Sequence, residues 1–171
     1  MTGNYSHNNL RYGLHFMFSD SNVYKENLFR ENGAGVAVMY TKNIEMLDNR
    51  FEDNWGPASY GLLLKDISRS LIKRNIFYKN TTAIYMEGSD LIRVEGNEFN
   101  SNGWATKILG NCINNIFTEN NFTNNTFDVS SNSSRNENIY SENYWDKYEG
   151  YDLDKDNTGD VPYRPVSLYS M

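Results

Sequence analysis

Asn27-Leu28-Phe29 is the first full copy of an Asn-x-aromatic step that recurs along the chain. The later copies are Asn49-Arg50-Phe51, Asn75-Ile76-Phe77, Asn97-Glu98-Phe99, Asn120-Asn121-Phe122 and Asn143-Tyr144-Trp145. Successive Asn residues are separated by 22, 26, 22, 23 and 23 residues. Internal periods of about 20 to 50 residues are typical of solenoids and other repeat folds. We therefore expect one coil of backbone for each repeat.

Two sets of apolar positions accompany the repeated Asn and predict short strands. One set lies three residues before the Asn and comprises Tyr24, Met46, Ile72, Val94, Phe117 and Tyr140. Further upstream, the alternating pairs are Leu14/Phe16, Val36/Val38, Leu62/Leu64 and Ile84/Met86. Alternation with a period of two places each pair on one face of a strand. With the aromatic positions, this predicts an all-β chain that forms a right-handed parallel β-helix of about six coils.

We interpret the repeated Asn and aromatic residues as structural. Asn tolerates left-handed turn geometry, and stacked Asn side chains can hydrogen-bond one another. The turn positions are Asn27, Asn49, Asn75, Asn97, Asn120 and Asn143, and the predicted core rings are Phe29, Phe51, Phe77, Phe99 and Phe122.

The repeat also predicts how the chain is divided. We expect coils over residues 1–143 and a C-terminal cap over 144–171, because the pattern weakens after Asn125 and the end is acidic and rich in Tyr. The interval of 26 residues predicts an inserted loop near Trp55-Gly56-Pro57-Ala58-Ser59. Since the chain begins inside the repeat pattern, we expect it to be part of a longer protein, with any export signal outside it.

Composition excludes some functions. The net charge is -6 and the pI about 4.9, whereas nucleic-acid binding calls for a basic surface. No apolar run approaches the roughly 18 residues of a membrane span. The single cysteine, Cys112, excludes an internal disulfide, and we expect it to be a small structural residue.

The first strand suggests a metal site on the outer face of the solenoid. In Gly13-Leu14-His15-Phe16-Met17-Phe18, His15 and Met17 alternate with the inward residues, and the repeat places Met39 next to Met17. Thioethers and imidazole suit Cu(I). The alternative is that Met17 and Met39 form an apolar patch for a partner or for a flanking segment, since Met also serves adaptable binding surfaces.

The C-terminal segment suggests a second cation site. Asp152, Asp154, Asp156 and Asp160 lie in a short acidic stretch with Gly159. Alternating oxygen ligands are how loops surround Ca²⁺, so these residues predict a structural calcium site. A solvated acidic turn is the alternative.

Signals for an enzyme are weak. Lys65, Asp66, Glu87 and Arg93 could line one face, but no carboxylate pair stands at the separation that glycoside cleavage requires. Since no nucleophile motif, phosphate loop or zinc signature is present, we predict that the chain is not an enzyme. The alternative function is an extracellular β-helix that binds or processes polysaccharide, with Tyr85 stacking on sugars.

Several segments together resemble the NosD family. They are Tyr12-Gly13-Leu14-His15-Phe16-Met17-Phe18-Ser19-Asp20, Gly35-Val36-Ala37-Val38-Met39-Tyr40, Asn143-Tyr144-Trp145-Asp146, Gly150-Tyr151-Asp152-Leu153-Asp154 and Gly159-Asp160-Val161-Pro162-Tyr163-Arg164-Pro165-Val166-Ser167-Leu168. The resemblance covers most of the chain and corresponds to the C-terminal portion of that family.

The resemblance implies a non-catalytic periplasmic protein that helps to mature the copper centres of nitrous oxide reductase during denitrification. It implies three partners: an ABC transporter, a copper chaperone and the reductase itself. Carried over to this sequence, the family's copper binding falls on His15, Met17 and Met39. The alternative is a docking scaffold that holds no copper of its own.

Overall fold

The computed structural model describes residues 1–133 and 137–165, and these residues form a parallel β-helix of about six coils. Each full coil contributes one strand to each of three parallel sheets. The predicted all-β solenoid is confirmed. Among the described residues, no helix is long and apolar enough to cross a membrane.

Sheet I contains the longest strands, and its order along the axis follows the sequence. Its strands are β2 (Tyr12–Met17), β5 (Ala34–Lys42), β8 (Tyr60–Ser68), β11 (Thr82–Glu87), β14 (Trp104–Ile108) and β17 (Phe127–Ser131). β2 is the strand at one end of this sheet.

Sheets II and III consist of very short strands. Sheet II contains β3 (Val23–Lys25), β6 (Glu45–Leu47), β9 (Leu71–Lys73), β12 (Arg93–Glu95), β15 (Ile116–Thr118) and β18 (Ile139–Ser141). Sheet III contains β1 (Tyr5–His7), β4 (Leu28–Arg30), β7 (Arg50–Glu52), β10 (Ile76–Tyr78), β13 (Glu98–Asn100), β16 (Asn121–Thr123) and β19 (Tyr144–Trp145).

The aromatic positions form one continuous stack inside the solenoid. Neighbouring rings from Phe29 to Phe122 have centroids 4.8–5.4 Å apart and interplanar angles of at most 19°. Trp145 continues the stack 4.2 Å beyond Phe122. The five Phe rings are fully buried. The chain therefore buries one large ring per coil at almost the same point.

The repeated Asn residues form a hydrogen-bonded ladder parallel to this stack. The Oδ1 atom of Asn75 accepts both the backbone N–H and the Nδ2–H of Asn49, at 2.9 and 3.0 Å. Asn75 Nδ2 donates to Met46 O at 2.8 Å and to Asn97 Oδ1 at 3.0 Å. Buried amides are costly without partners, and the ladder supplies them from the adjacent coils.

A second Asn ladder, which sequence reasoning missed, lies five residues after the first. Asn9, Asn32, Asn54, Asn80, Asn102 and Asn125 occupy it. Asn80 Nδ2, for example, donates to Asn102 Oδ1 at 3.1 Å and to Phe51 O at 2.9 Å. The regular offset of five residues was a readable signal. The two ladders bracket sheet III and define both of its corners.

The inserted loop lies where the spacing predicts it. Residues 53–59 contain no strand, and Trp55 at their centre is 65% exposed. Thr81 Oγ1 holds the loop, because it accepts from Gly56 N at 2.9 Å and donates to Gly56 O at 3.0 Å.

Beyond the last coil, aromatic residues of the C-terminal segment pack on the solenoid. β19 adds a rung at Tyr144–Trp145, inside the range that the sequence assigns to the cap. Beyond it, Tyr163 packs on Trp145 with ring centroids 5.2 Å apart, and the Tyr148 hydroxyl donates to Val161 O at 2.9 Å. Of the predicted cap, residues 166–171 lie outside the described residues, including Val166-Ser167-Leu168 of the NosD-like segment.

A candidate copper site on the outer face of sheet I

The predicted copper ligands lie on the outer face at the β2 end of sheet I. In the register of β2 and β5, Met17 pairs with Met39, and His15 pairs with Ala37. Met17 is 38% exposed, Met39 is half-buried and His15 is exposed. The structure therefore brings the two thioether side chains next to each other at the surface.

The imidazole lies on the same face but has a different neighbour. The His15 ring packs against Tyr12, with centroids 4.8 Å apart. Within β2, Tyr12 lies on the side of His15 away from Met17.

The donor set fits a soft monovalent ion. Parallel neighbours such as Met17 and Met39 are separated by about 4.8 Å at the backbone, and the Met side chain has three rotatable bonds. Two thioethers can thus converge on one ion without backbone movement. Thioether and imidazole ligands favour Cu(I) over hard cations.

Charged residues bound the site on the far side of Met39. Met39 is in register with Lys65, and Lys65 with Glu87. The ammonium and the carboxylate form an ion pair at 3.2 Å. The hydrogen bond that Lys65 donates to Glu87, together with the negative charge of Glu87, raises the pKa of Lys65, so this side chain stays cationic. In this row of register partners from Met17 to Glu87, only Met17 and Met39 carry soft sulfur ligands.

Sequence reasoning also missed an aromatic pair beside the thioethers. Phe18 and Tyr40 directly follow Met17 and Met39, and their rings stack 5.2 Å apart with an interplanar angle of 9°. The repeat aligns these two aromatic residues, which was the available signal.

The second histidine and the cysteine lie elsewhere. His7 is in β1 of sheet III, where its ring stacks on Tyr5 at 4.3 Å and its Nδ1 lies 2.9 Å from Asn8 Nδ2. Cys112 is buried in the core, and burial raises the pKa of its thiol. Its burial agrees with the expected structural role.

The acidic segment gathers three of its four predicted ligands. Carboxylate oxygens of Asp152, Asp154 and Asp156 lie within 4.8 Å of one another, and all three residues are exposed. Each of the three accepts a nearby backbone N–H; Asp152, for example, accepts that of Lys155 at 2.6 Å. Asp160 instead accepts the N–H of Leu153 at 2.6 Å.

The charged face considered for polysaccharide chemistry is incomplete. Lys65 and Glu87 lie on sheet I, whereas Arg93 lies on sheet II and forms an ion pair with Glu95. The expectation that Arg93 could share a face with Lys65 was wrong, because the corner between the sheets separates them. Tyr85 lies on the outer face, 5.2 Å from Tyr60, and its contact with sugar stays a prediction.

Fold and site together define the class: a parallel β-helix protein with two neighbouring thioethers on the outer face of the sheet that has the longest strands. The chain belongs to the NosD family, whose model, described as periplasmic copper-binding protein (NosD), matches residues 1–150. A comparison with curated protein sequences gives no significant match. The family assignment agrees with the resemblance seen in the sequence and makes this chain a NosD-type protein of a periplasmic, copper-binding family.

Proposed function

We propose that this protein handles Cu(I) in the periplasm as an accessory factor for maturing the copper centres of nitrous oxide reductase. One observation carries the proposal: Met17 and Met39 are register partners on an exposed face of a chain that belongs to a copper-binding family. Core packing does not explain them, since 38% of Met17 remains exposed to solvent.

In this proposal, Met17 and Met39 bind Cu(I) through their thioethers and His15 supplies a third ligand. Because the ligands lie on an open surface, a partner's soft ligands can approach and exchange with them. The role is transient carriage, and no bond of a substrate is broken. An ABC transporter, a copper chaperone and the reductase are the proposed partners, on the strength of the family resemblance.

An anaerobic Cu(I) competition titration with a chromogenic chelator tests the ligands. The Met17→Leu/Met39→Leu variant keeps side-chain volume and should keep the fold, but it removes both sulfurs. We expect a single site in the wild-type chain and its loss in the variant. Met86→Leu makes the same chemical change inside the core, where Met86 is fully buried, and should leave Cu(I) affinity unchanged.

Two results would count against this function. Equal Cu(I) affinity in the wild type and the double variant would show that Met17 and Met39 are not ligands. If the wild-type chain does not compete with the chelator for Cu(I), the chain acts as a docking scaffold and copper is held only by its partners.

Calcium binding by the acidic segment stays a separate prediction. The loop already satisfies its carboxylates with backbone N–H groups, so its geometry is also explained without an ion. Thermal unfolding with and without CaCl₂, in the wild type and in Asp154→Asn, would show whether the acidic segment binds calcium. A midpoint that rises with calcium only in the wild type supports a site.

A further inference from the structure

The stacked pair Phe18–Tyr40 is exposed although both residues are aromatic. Phe18 is 76% exposed and Tyr40 is 43% exposed. Their rings are nearly parallel, at 9° and 5.2 Å. Neither residue belongs to the buried core of the solenoid, so the fold does not need two aromatic rings at this corner.

The backbone at this corner disfavours aromatic residues. Phe18 has φ 51° and Tyr40 has φ 53°, both in the left-handed region. That region is costly for bulky side chains, whereas Gly, Asn and Asp tolerate it. The next two coils have Asp66 and Gly88 at the equivalent corner, with φ 51° and 59°.

Among the described residues, Phe18 and Tyr40 are the only aromatic side chains with a positive φ. Both lie immediately after a Met of the thioether pair. Residues that break a local rule without a gain in packing are expected at functional sites. The two aromatic exceptions therefore coincide with the neighbouring pair Met17 and Met39, of which Met17 is exposed and Met39 is half-buried.

The pair lies next to the thioethers along the chain. Phe18 and Tyr40 directly follow Met17 and Met39, which are register partners on the outer face. The backbone N–H of Phe18 donates to Met39 O at 3.3 Å, so the two strands that carry the thioethers are joined at this corner. Both exposed rings are therefore one residue along the chain from the thioether pair.

We infer that Phe18 and Tyr40 form an aromatic wall of the Cu(I) site. Ring faces attract cations, and this contact strengthens where water is excluded. The wall would offer a ring face to a monovalent ion held by the thioethers and would shield that one side of the ion from water and oxygen, while the other side stays open to a partner. This inference rests on the proposed function, since it assigns further residues to the same site.

The test compares Phe18→Asn/Tyr40→Asn with the wild type. Because Asn tolerates a positive φ, the variant should fold and its thermal midpoint should stay unchanged or rise. We expect its Cu(I) affinity to fall about tenfold, the size of one well-placed ring contact. We also expect the bound Cu(I) to oxidise faster on exposure to air.

Leu91→Asn is the matched control. Leu91 also has a positive φ, 54°, and is 47% exposed, but it lies at a different corner, just before sheet II. It should tolerate Asn equally well and leave Cu(I) affinity and oxidation rate as in the wild type.

The outcomes separate this inference from the function on which it rests. Unchanged affinity and oxidation rate in Phe18→Asn/Tyr40→Asn, with binding lost in Met17→Leu/Met39→Leu, would overturn the aromatic wall alone. A lower thermal midpoint would make the pair structural and would also overturn it. If the Met double variant binds as the wild type does, or if the wild type does not bind, both proposals fail.

Discussion

Removing one rung of the first Asn ladder should destabilise the solenoid strongly, and Asn120 offers the cleanest test. Its side chain is fully buried. Oδ1 accepts the backbone N–H and the Nδ2–H of Asn97, both at 2.9 Å. Nδ2 donates to Val94 O and to Asn143 Oδ1, also at 2.9 Å. Asn120→Ala removes all four hydrogen bonds.

The size of the effect follows from what the substitution leaves behind. The buried N–H of Asn97 loses its acceptor, Val94 O loses a donor, and Asn97 Nδ2 keeps only its bond to Ile72 O at 2.9 Å. A buried group left without its partner costs about 1–3 kcal/mol. Two to three such groups give a loss of about 3–6 kcal/mol in the free energy of unfolding, out of the roughly 5–15 kcal/mol of a typical domain.

Urea unfolding followed by far-UV circular dichroism measures this loss. The control is Asn121→Ala, one residue further on, where the side chain is exposed and the change should stay within about 0.5 kcal/mol. Coils interact mainly with their neighbours, so a variant can also lose cooperativity between coils. The slope of the urea transition should therefore be compared between the variants as well. A loss below about 1 kcal/mol for Asn120→Ala, or equal losses for the two variants, would refute the ladder as a source of stability.

Two further substitutions test the core and the C-terminal end. Phe77→Ala removes a fully buried ring that stacks on Phe51 at 4.8 Å and on Phe99 at 5.0 Å, and it should cost about 3–5 kcal/mol in a urea titration; a cost under about 1 kcal/mol would contradict the stack. Burial raises the pKa of Asp128 above its usual 3.8, and the Lys147 ammonium 3.2 Å away opposes this rise. The stability that this carboxyl contributes is therefore full below about pH 3.8 and is lost as the pH rises through the raised pKa. Lys147→Met removes the opposing charge and should lower the free energy of unfolding by about 1–3 kcal/mol at pH 7 but by less at pH 4. Denaturation midpoints at the two pH values would show this difference, and a loss of stability independent of pH would contradict the pairing of Lys147 with Asp128.

Much of the fold could be predicted from the sequence because each repeat places the same residue types at the same spacing. The Asn and Phe positions, such as Asn75 and Phe77, recur at fixed offsets. In a parallel stack the equivalent residues of adjacent coils then lie side by side, as Phe77 does with Phe51 and Phe99. The same rule predicted that Met17 lies beside Met39, and the register confirms that position. Their binding of copper stays a proposal. The second ladder through Asn80 followed the same rule and was also within reach.

What the sequence by itself determined was thus the period, the inward positions and the neighbours of each residue along the axis. These follow from the stacking of equivalent positions in adjacent coils, which depends only on spacing. Only the tertiary structure decided relations across a coil and at its ends. It placed the His15 ring on Tyr12, separated Arg93 from Lys65 and joined Lys147 to Asp128. Such relations depend on where the chain turns and which rotamer each side chain adopts, and no periodic pattern specifies either.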